Sequence, residues 1–385
     1  MTTLNAKSPA RSGRLLGIEI VRGVAVFAVV LSHSGDGTWG EMSKGVEYLR
    51  TFFSFHVPFF LAASFYFLSK KVKSEDASSY SITSLKRRIQ RILVPYVIWS
   101  LIFLIIRCVF FIIDGDHERI IKIFDDPISI LFLGGASYHL YFLPLLICGT
   151  VEFYIINKLI KDWTLFNSLL LSITGWILNF AISATGNQFQ LGPNIAFENS
   201  FNMFGMAPDD SVLLRLISVS VAWSVTCLPY IGAAIALNCI DSANRSSLLS
   251  ITHSKRYIFL ALSILVFLLS TFLIDSSSGL RSFQKVTIAF SLLIASILFS
   301  KNIQAINRAS LEYIAVSLGK CTLGIYLIHP VFIRTVRLVL SFLSPNTLQS
   351  VSVFSVLLIS SVSFLVSWLV VYALSGNKFA NRALA

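Results

Sequence analysis

Long apolar runs alternate with short polar connections along the whole chain. Ten such runs, at about 15–33, 50–69, 92–113, 139–157, 164–184, 213–240, 256–274, 284–300, 322–343 and 350–374, approach or exceed the roughly 20 residues a helix needs to cross a bilayer. The pattern predicts an all-α fold, a polytopic integral membrane bundle of about ten transmembrane helices. No change of composition and no internal repeat at fixed period divides the chain, so residues 1–385 read as a single membrane domain with short cytoplasmic tails at about 1–14 and 375–385. The first run contains Glu19 and Arg22 and no small-residue cleavage site follows it, so it is expected to remain in the mature protein rather than act as a signal peptide.

Composition agrees with lipid as the solvent: 55% of residues are hydrophobic and 13% charged, against roughly 25% charged in a soluble domain. A formal net charge of +12 would suggest nucleic acid in a soluble protein. Here the charges sit between apolar runs, no nucleic-acid partner is expected, and their placement reports orientation instead. Lys and Arg crowd one set of alternate connections, most densely at Lys70, Lys71, Lys73, Lys86, Arg87, Arg88 and Arg91. The opposite set is poorer in them and holds Asp114, Asp116, Glu118, Asp125 and Asp126. Basic loops are retained inside the cell, so the richer side is the cytoplasm and both termini lie there. Cys108, Cys148, Cys227, Cys239 and Cys321 lie in or beside apolar runs without metal-ligand spacing, which fits small buried residues; no metal site is expected.

An ionisable side chain at membrane depth costs roughly 2.5–3.5 kcal/mol on insertion scales, so it usually faces a polar interior. The first run contains three: Glu19, Arg22 and His33. Eleven residues at 100° each bring His33 back to the face of Arg22, about 16 Å along the axis, and Glu19 lies three residues before Arg22, within ion-pair reach. The spacing predicts a polar stripe lining a cavity between helices, with Arg22 in the cytoplasmic half and His33 near the outer end. An equally good reading has Glu19 and Arg22 merely neutralising each other and His33 lying at the interface. His56 falls in the outer half of the second run and His139 opens the fourth at the outer surface; each alone reads first as a hydrogen-bonded structural histidine. His329 is expected about 12 Å into the membrane from the cytoplasmic face, counting from Lys320.

Arg88 and Arg91 are three apart, so a helix starting there would place both on one face, where guanidinium forks suit phosphate oxygens. Any cytoplasmic helix end is also expected to be basic. Segments 114–138 and 185–212 are the long outer connections, candidate lids or acceptor loops. The amides of Gln188, Gln190, Asn194, Asn199 and Asn202 suit hydroxyl groups, and equally suit solvent.

Four segments together resemble the acyltransferase-3 family of membrane-bound O-acyltransferases, from about residue 15 to 340. Glu19-x-x-Arg22 continuing to His33 is similar to the family's Arg-x10-His signature with its preceding acid. His56-Val57-Pro58-Phe59-Phe60 resembles its His-x-Pro-Phe-Phe element, usually followed by Ser-Gly, where this chain has Ser64-Phe65. Arg88-x-x-Arg91 before Pro95-Tyr96 is similar to the cytoplasmic Arg-x-x-Arg motif. His139-Leu140-Tyr141-Phe142 and Gly324-Ile325-Tyr326-Leu327-Ile328-His329-Pro330 resemble later family elements.

The resemblance implies transfer of an acyl group, most commonly acetyl from acetyl-CoA, to a hydroxyl of a carbohydrate or lipid-linked glycan at the bacterial inner membrane, with no permanently bound cofactor. The esterase-like extracytoplasmic domain of some members is not expected in this chain. Transfer needs a base, a donor site and stabilisation of the developing oxyanion. His33 is the candidate base, Arg22 oriented by Glu19 the charge that stabilises the donor in the pore, Arg87, Arg88 and Arg91 the donor site, and His56, His139, Tyr326 and His329 the pore or acceptor lining. A transporter or flippase for lipid-linked sugars is the competing class; the inverted repeats common in transporters are not visible.

Overall fold

The computed structural model describes residues 15–37, 39–74, 81–124, 127–184, 212–243, 252–273, 280–306, 309–344, 348 and 350–384. All ten apolar runs are helical, and no strand occurs among the described residues. The helices are α1 (Leu16–Ser34), α2 (Lys44–Phe52), α3 (His56–Ser74), α4 (Ile82–Ile113), α5 (His117–Phe124), α6 (Phe142–Leu159) and α7 (Leu165–Ala184). They continue as α8 (Val212–Ala243), α9 (His253–Leu273), α10 (Arg281–Ile306), α11 (Ala309–Leu343), α12 (Val353–Leu374) and α13 (Lys378–Leu384). Nine spans in the described residues are long and apolar enough to cross a membrane, with α2 and α3 counted as one; α7 contributes a shorter apolar helix over Leu165–Ala181.

Helix α1 is the axis of the bundle, packed by α3, α10, α11 and α12. That position explains why Ile18, Ala25, Val26 and Ala28 through Leu31 are buried on several faces at once. Small residues allow close approach where lipid offers no hydrophobic drive between helices. Ser355, Ser360, Ser363 and Ser367 are all buried on α12. Where α2 meets α3 the chain tightens to a 3-10 turn, Phe53–Phe55, just before Pro58 in the first turn of α3. A proline there gives up a hydrogen bond the helix start does not make. Prolines inside helices instead free a carbonyl four residues back, and in a membrane another group must take it. Pro229 in α8 frees Val225 O, and Asn179 Nδ2 of α7 donates to it at 2.7 Å.

Two expectations change in this frame. The outer segment 114–138 is no simple lid. After the amphipathic α5, a π turn at Ser129–Leu133 leads back into the bundle, where Leu133, Ala136, His139 and Leu140 are buried. Non-helical backbone at this depth is viable because protein groups satisfy it. Tyr96 Oη donates to Ile130 O at 2.9 Å and accepts from Gly134 N at 3.1 Å, and Arg107 Nη1 donates to Gly135 O at 3.2 Å. The second change concerns residues 375–385, expected as a tail. Residues 378–384 form α13, which docks on α4: Trp99 Nε1 donates to Ala383 O at 2.9 Å and Leu384 is buried. Segment 185–211, with its amides, lies outside the described residues.

Gly134 turns this re-entrant segment at φ +81°, and a Cβ there would overlap the backbone of Leu140 and Tyr141. Gly115 has a similar φ of +71° with open space around it. Gly134→Ala is therefore expected to destabilise by more than about 1 kcal/mol. Its thermal transition in detergent should fall clearly below that of Gly115→Ala, which carries the dihedral cost alone.

Candidate active site

The site is built on α1 and α11, which lie side by side and run in the same direction. At the beginning of α1, Arg22 Nη1 meets Glu19 Oε2 at 3.1 Å, as the spacing predicts. Gly319 of α11 is packed against the Glu19 carboxylate, and any Cβ at that position would overlap it. The missing side chain thus makes room for the acid that orients Arg22. Both charged side chains keep accessible surface, 32% for Arg22 and 16% for Glu19, in a helix whose apolar residues are largely buried.

At the other end of α1, His33 stacks on His329 with ring centroids 5.4 Å apart and 25° between planes. This corrects the expected depth of His329. Its helix begins at Ala309 rather than near residue 320, so twenty residues, about 30 Å of rise, precede it. It stands level with His33, not near the opposite face. His139 joins the pair, 5.1 Å from the His329 ring, and Tyr138 packs 4.6 Å from His33. His139 was expected to open a helix at the outer surface. It instead precedes α6, sits on the re-entrant segment and is 1% exposed. Three imidazoles from three separated parts of the chain therefore form one cluster.

The prolines and hydrogen bonds set the state of each ring. Pro330 has no N–H to give Tyr326 O, and His329 Nδ1 lies 2.6 Å from that carbonyl. A carbonyl oxygen only accepts, so Nδ1 carries the hydrogen and the neutral ring leaves Nε2 as a lone pair. His329 Nε2 and His139 Nε2 are both buried without a hydrogen-bond partner among the described residues. The hydroxyl of Tyr326 donates to His139 O, tying α11 to the re-entrant segment. His139 Nδ1 pairs with Ser137 Oγ at 3.0 Å. His56 is arranged in the opposite sense: Val57 N donates to Nδ1 at 2.7 Å, so Nε2 carries the hydrogen and donates to Ser32 Oγ at 3.1 Å. With both nitrogens engaged, His56 braces α3 against α1 beside His33.

The basic cluster on α4 divides. Arg87 and Arg91 are exposed, while Arg88 turns into the bundle. There its Nη2 donates to Ser64 Oγ at 2.6 Å and its Nε to Thr150 Oγ1 at 3.4 Å, joining α3, α4 and α6. Ser64 lies eight residues beyond His56, about 12 Å from the histidine level toward the Arg22 end. Phe65, which stands where the resembling element has glycine, is buried against Gly149 of α6. The absence of a side chain at Gly149 leaves the space that the Phe65 ring fills.

Sequence reasoning missed Tyr96, Arg107 and Tyr138 as supports of the cluster, and Arg334, whose guanidinium lies 3.3 Å over the Phe110 ring. For the two arginines the signal was available: each is a charge inside an apolar run. Tyr96 stood out only as part of the Arg88–Arg91 motif, and Tyr138 offered no signal.

No curated protein and no solved structure matches the chain. The family model described as an acyltransferase domain, Acyl_transf_3, matches residues 15–372, nearly the whole length and all of the elements that carry the site. A multi-pass helical membrane protein with the Glu19–Arg22 pair and a histidine cluster at opposite ends of one central helix, this chain belongs to the acyltransferase-3 family and is an O-acyltransferase.

Proposed function

We propose that the protein moves an acetyl group from cytoplasmic acetyl-CoA to a hydroxyl of a carbohydrate or lipid-linked glycan at the outer side of a bacterial inner membrane, with both termini in the cytoplasm. The observation that carries this reading is the separation along α1: a positive charge oriented at one end, and at the other a histidine cluster in which His329 Nε2 is a lone pair without a partner among the described residues. Donor and acceptor that live in different compartments need such a split.

In this reading Arg87 and Arg91 bind the donor phosphates, and Arg88 positions the entrance from within the bundle. The thioester arm extends past Arg22, whose charge steadies it. At the histidine level, His33 removes the proton of the acceptor hydroxyl as its oxygen attacks the thioester carbonyl carbon. The C–S bond then breaks, and the thiolate takes up a proton to leave as the free thiol of CoA. His139 and His329, with Tyr138, line the place of the acceptor. His56 acts on His33 only through Ser32 and the packing of α3.

Purified protein with labelled acetyl-CoA tests the donor. Binding is expected, and Arg87→Ala with Arg91→Ala should weaken it at least about tenfold, because guanidinium–phosphate pairs are charge-assisted and bidentate. Both side chains are exposed, so the double variant should keep its fold. Absence of acetyl-CoA binding by the native chain would overturn acetyl-CoA as the donor.

A further inference from the structure

A cavity of about 740 Å3 lies between α4, α6, α7, α8 and the re-entrant segment. It contains none of the Arg22, His33, His139 or His329 side chains, so it is separate from the site above. Its walls are mainly apolar, and Leu93, Leu131, Phe132 and Ile155 are exposed on the outside of the bundle, so its mouth faces lipid. A volume of this size suits a ligand of many heavy atoms, since binding cavities run to roughly 300–1,000 Å3.

Tyr96, Cys148, Ser220 and Ser224 in the lining have hydrogen-bond partners, and two further polar groups do not. Glu152 Oε2 on α6 and Trp223 Nε1 on α8 are each buried with no hydrogen-bond partner among the described residues. An unsatisfied carboxyl and indole at membrane depth are both costly, and a ligand group that satisfied them would be held strongly. Indole N–H can only donate; a carboxyl oxygen accepts. An ammonium group has no lone pair for the indole. A hydroxyl carries both the donor that a carboxyl oxygen accepts and the acceptor that an indole N–H needs. The neighbouring Cys148 and Ser224 already pair with each other at 3.4 Å, so neither is an unpartnered group like Glu152 and Trp223.

We propose that this cavity is a lipid site, taking a hydrocarbon chain from the bilayer whose hydroxyl is held by Glu152 and Trp223. Tyr96, Leu131 and Phe132 form part of its wall, and Tyr96 is the residue that ties down Ile130 and Gly134. A bound chain therefore packs directly behind the segment that carries His139. The proposal does not depend on the identity of donor or acceptor.

Trp223 supplies a built-in reporter. The full chain in lipid nanodiscs is titrated with a long-chain alcohol brominated midway along its chain, and with the brominated alkane of equal length. The expected result is saturable quenching by the alcohol of an emission component that Trp223→Phe lacks. The alcohol should bind at least about tenfold more tightly than the alkane. Glu152→Leu should bring the two probes to equal affinity, whereas Glu152→Gln, which keeps a hydrogen-bonding oxygen, should retain most of the preference. Equal affinities in the native chain, quenching independent of Trp223, or a preference that survives Glu152→Leu would each overturn the assignment. The native comparison decides alone if a variant fails to insert.

Discussion

Replacing His33 by alanine is expected to lower acyl transfer by about 10²–10⁴-fold, the range a positioned general base contributes, while donor binding stays unchanged. The split between the two readouts follows from geometry. His33 stands at the far end of α1 from Arg22, stacked on His329 and packed by Tyr138. Removing its ring leaves the Glu19–Arg22 pair and the α4 arginines in place. His56→Ala provides the contrast. That ring is fixed at both nitrogens, by Val57 N and Ser32, so its loss should appear mainly as a lower thermal transition, with a smaller effect on turnover by the folded fraction. The measurement is transfer of labelled acetyl to acceptor in membranes with matched protein levels. Full activity of His33→Ala at normal insertion would falsify its role as base.

What the sequence made legible follows from how strongly each feature is coded. Ten apolar runs were unmistakable because insertion into lipid demands length and apolarity at every one, and the Glu19–Arg22 pair followed from a spacing of three. Depth was harder. Residues 309–321 mix Ser310, Glu312 and Lys320 with apolar positions, so they read as a connection although they are the first turns of α11; hence His329 was set too near the opposite face. The re-entrant segment was illegible for a related reason. A non-helical chain that is buried by its neighbours needs glycine, serine and a few partners, which is also what a solvated loop contains. Only the structure shows Tyr96 and Arg107 reaching into it. Glu152 was overlooked because one carboxyl in a long apolar run does little to the run's average.

Pro330→Ala should make the protein more stable and less active. A proline in a helix interior costs up to about 3 kcal/mol relative to alanine, through its missing N–H and its ring. Alanine at this position restores an N–H that can bond Tyr326 O, and the thermal transition should rise. That carbonyl is the one that now holds His329 Nδ1 at 2.6 Å. With a backbone donor competing for it, the His329 ring is no longer confined to the tautomer that presents Nε2 as a lone pair, nor to the orientation stacked on His33. Under the proposed reaction, turnover is expected to fall at least about tenfold, the scale at which a lost orienting partner of a histidine is felt in metal sites. Donor binding should not change, because Arg87 and Arg91 lie on another helix. A general loss of packing would move stability and turnover down together; this substitution is expected to move them in opposite directions. The same comparison at Pro229 supplies the control. Pro229→Ala restores a bond to Val225 O, now taken by Asn179 on α7, which makes no hydrogen bond to the histidines among the described residues, and should raise or hold stability without the drop in turnover. Equal turnover losses from the two substitutions would show that His329 is held in place by something other than the carbonyl that Pro330 leaves free.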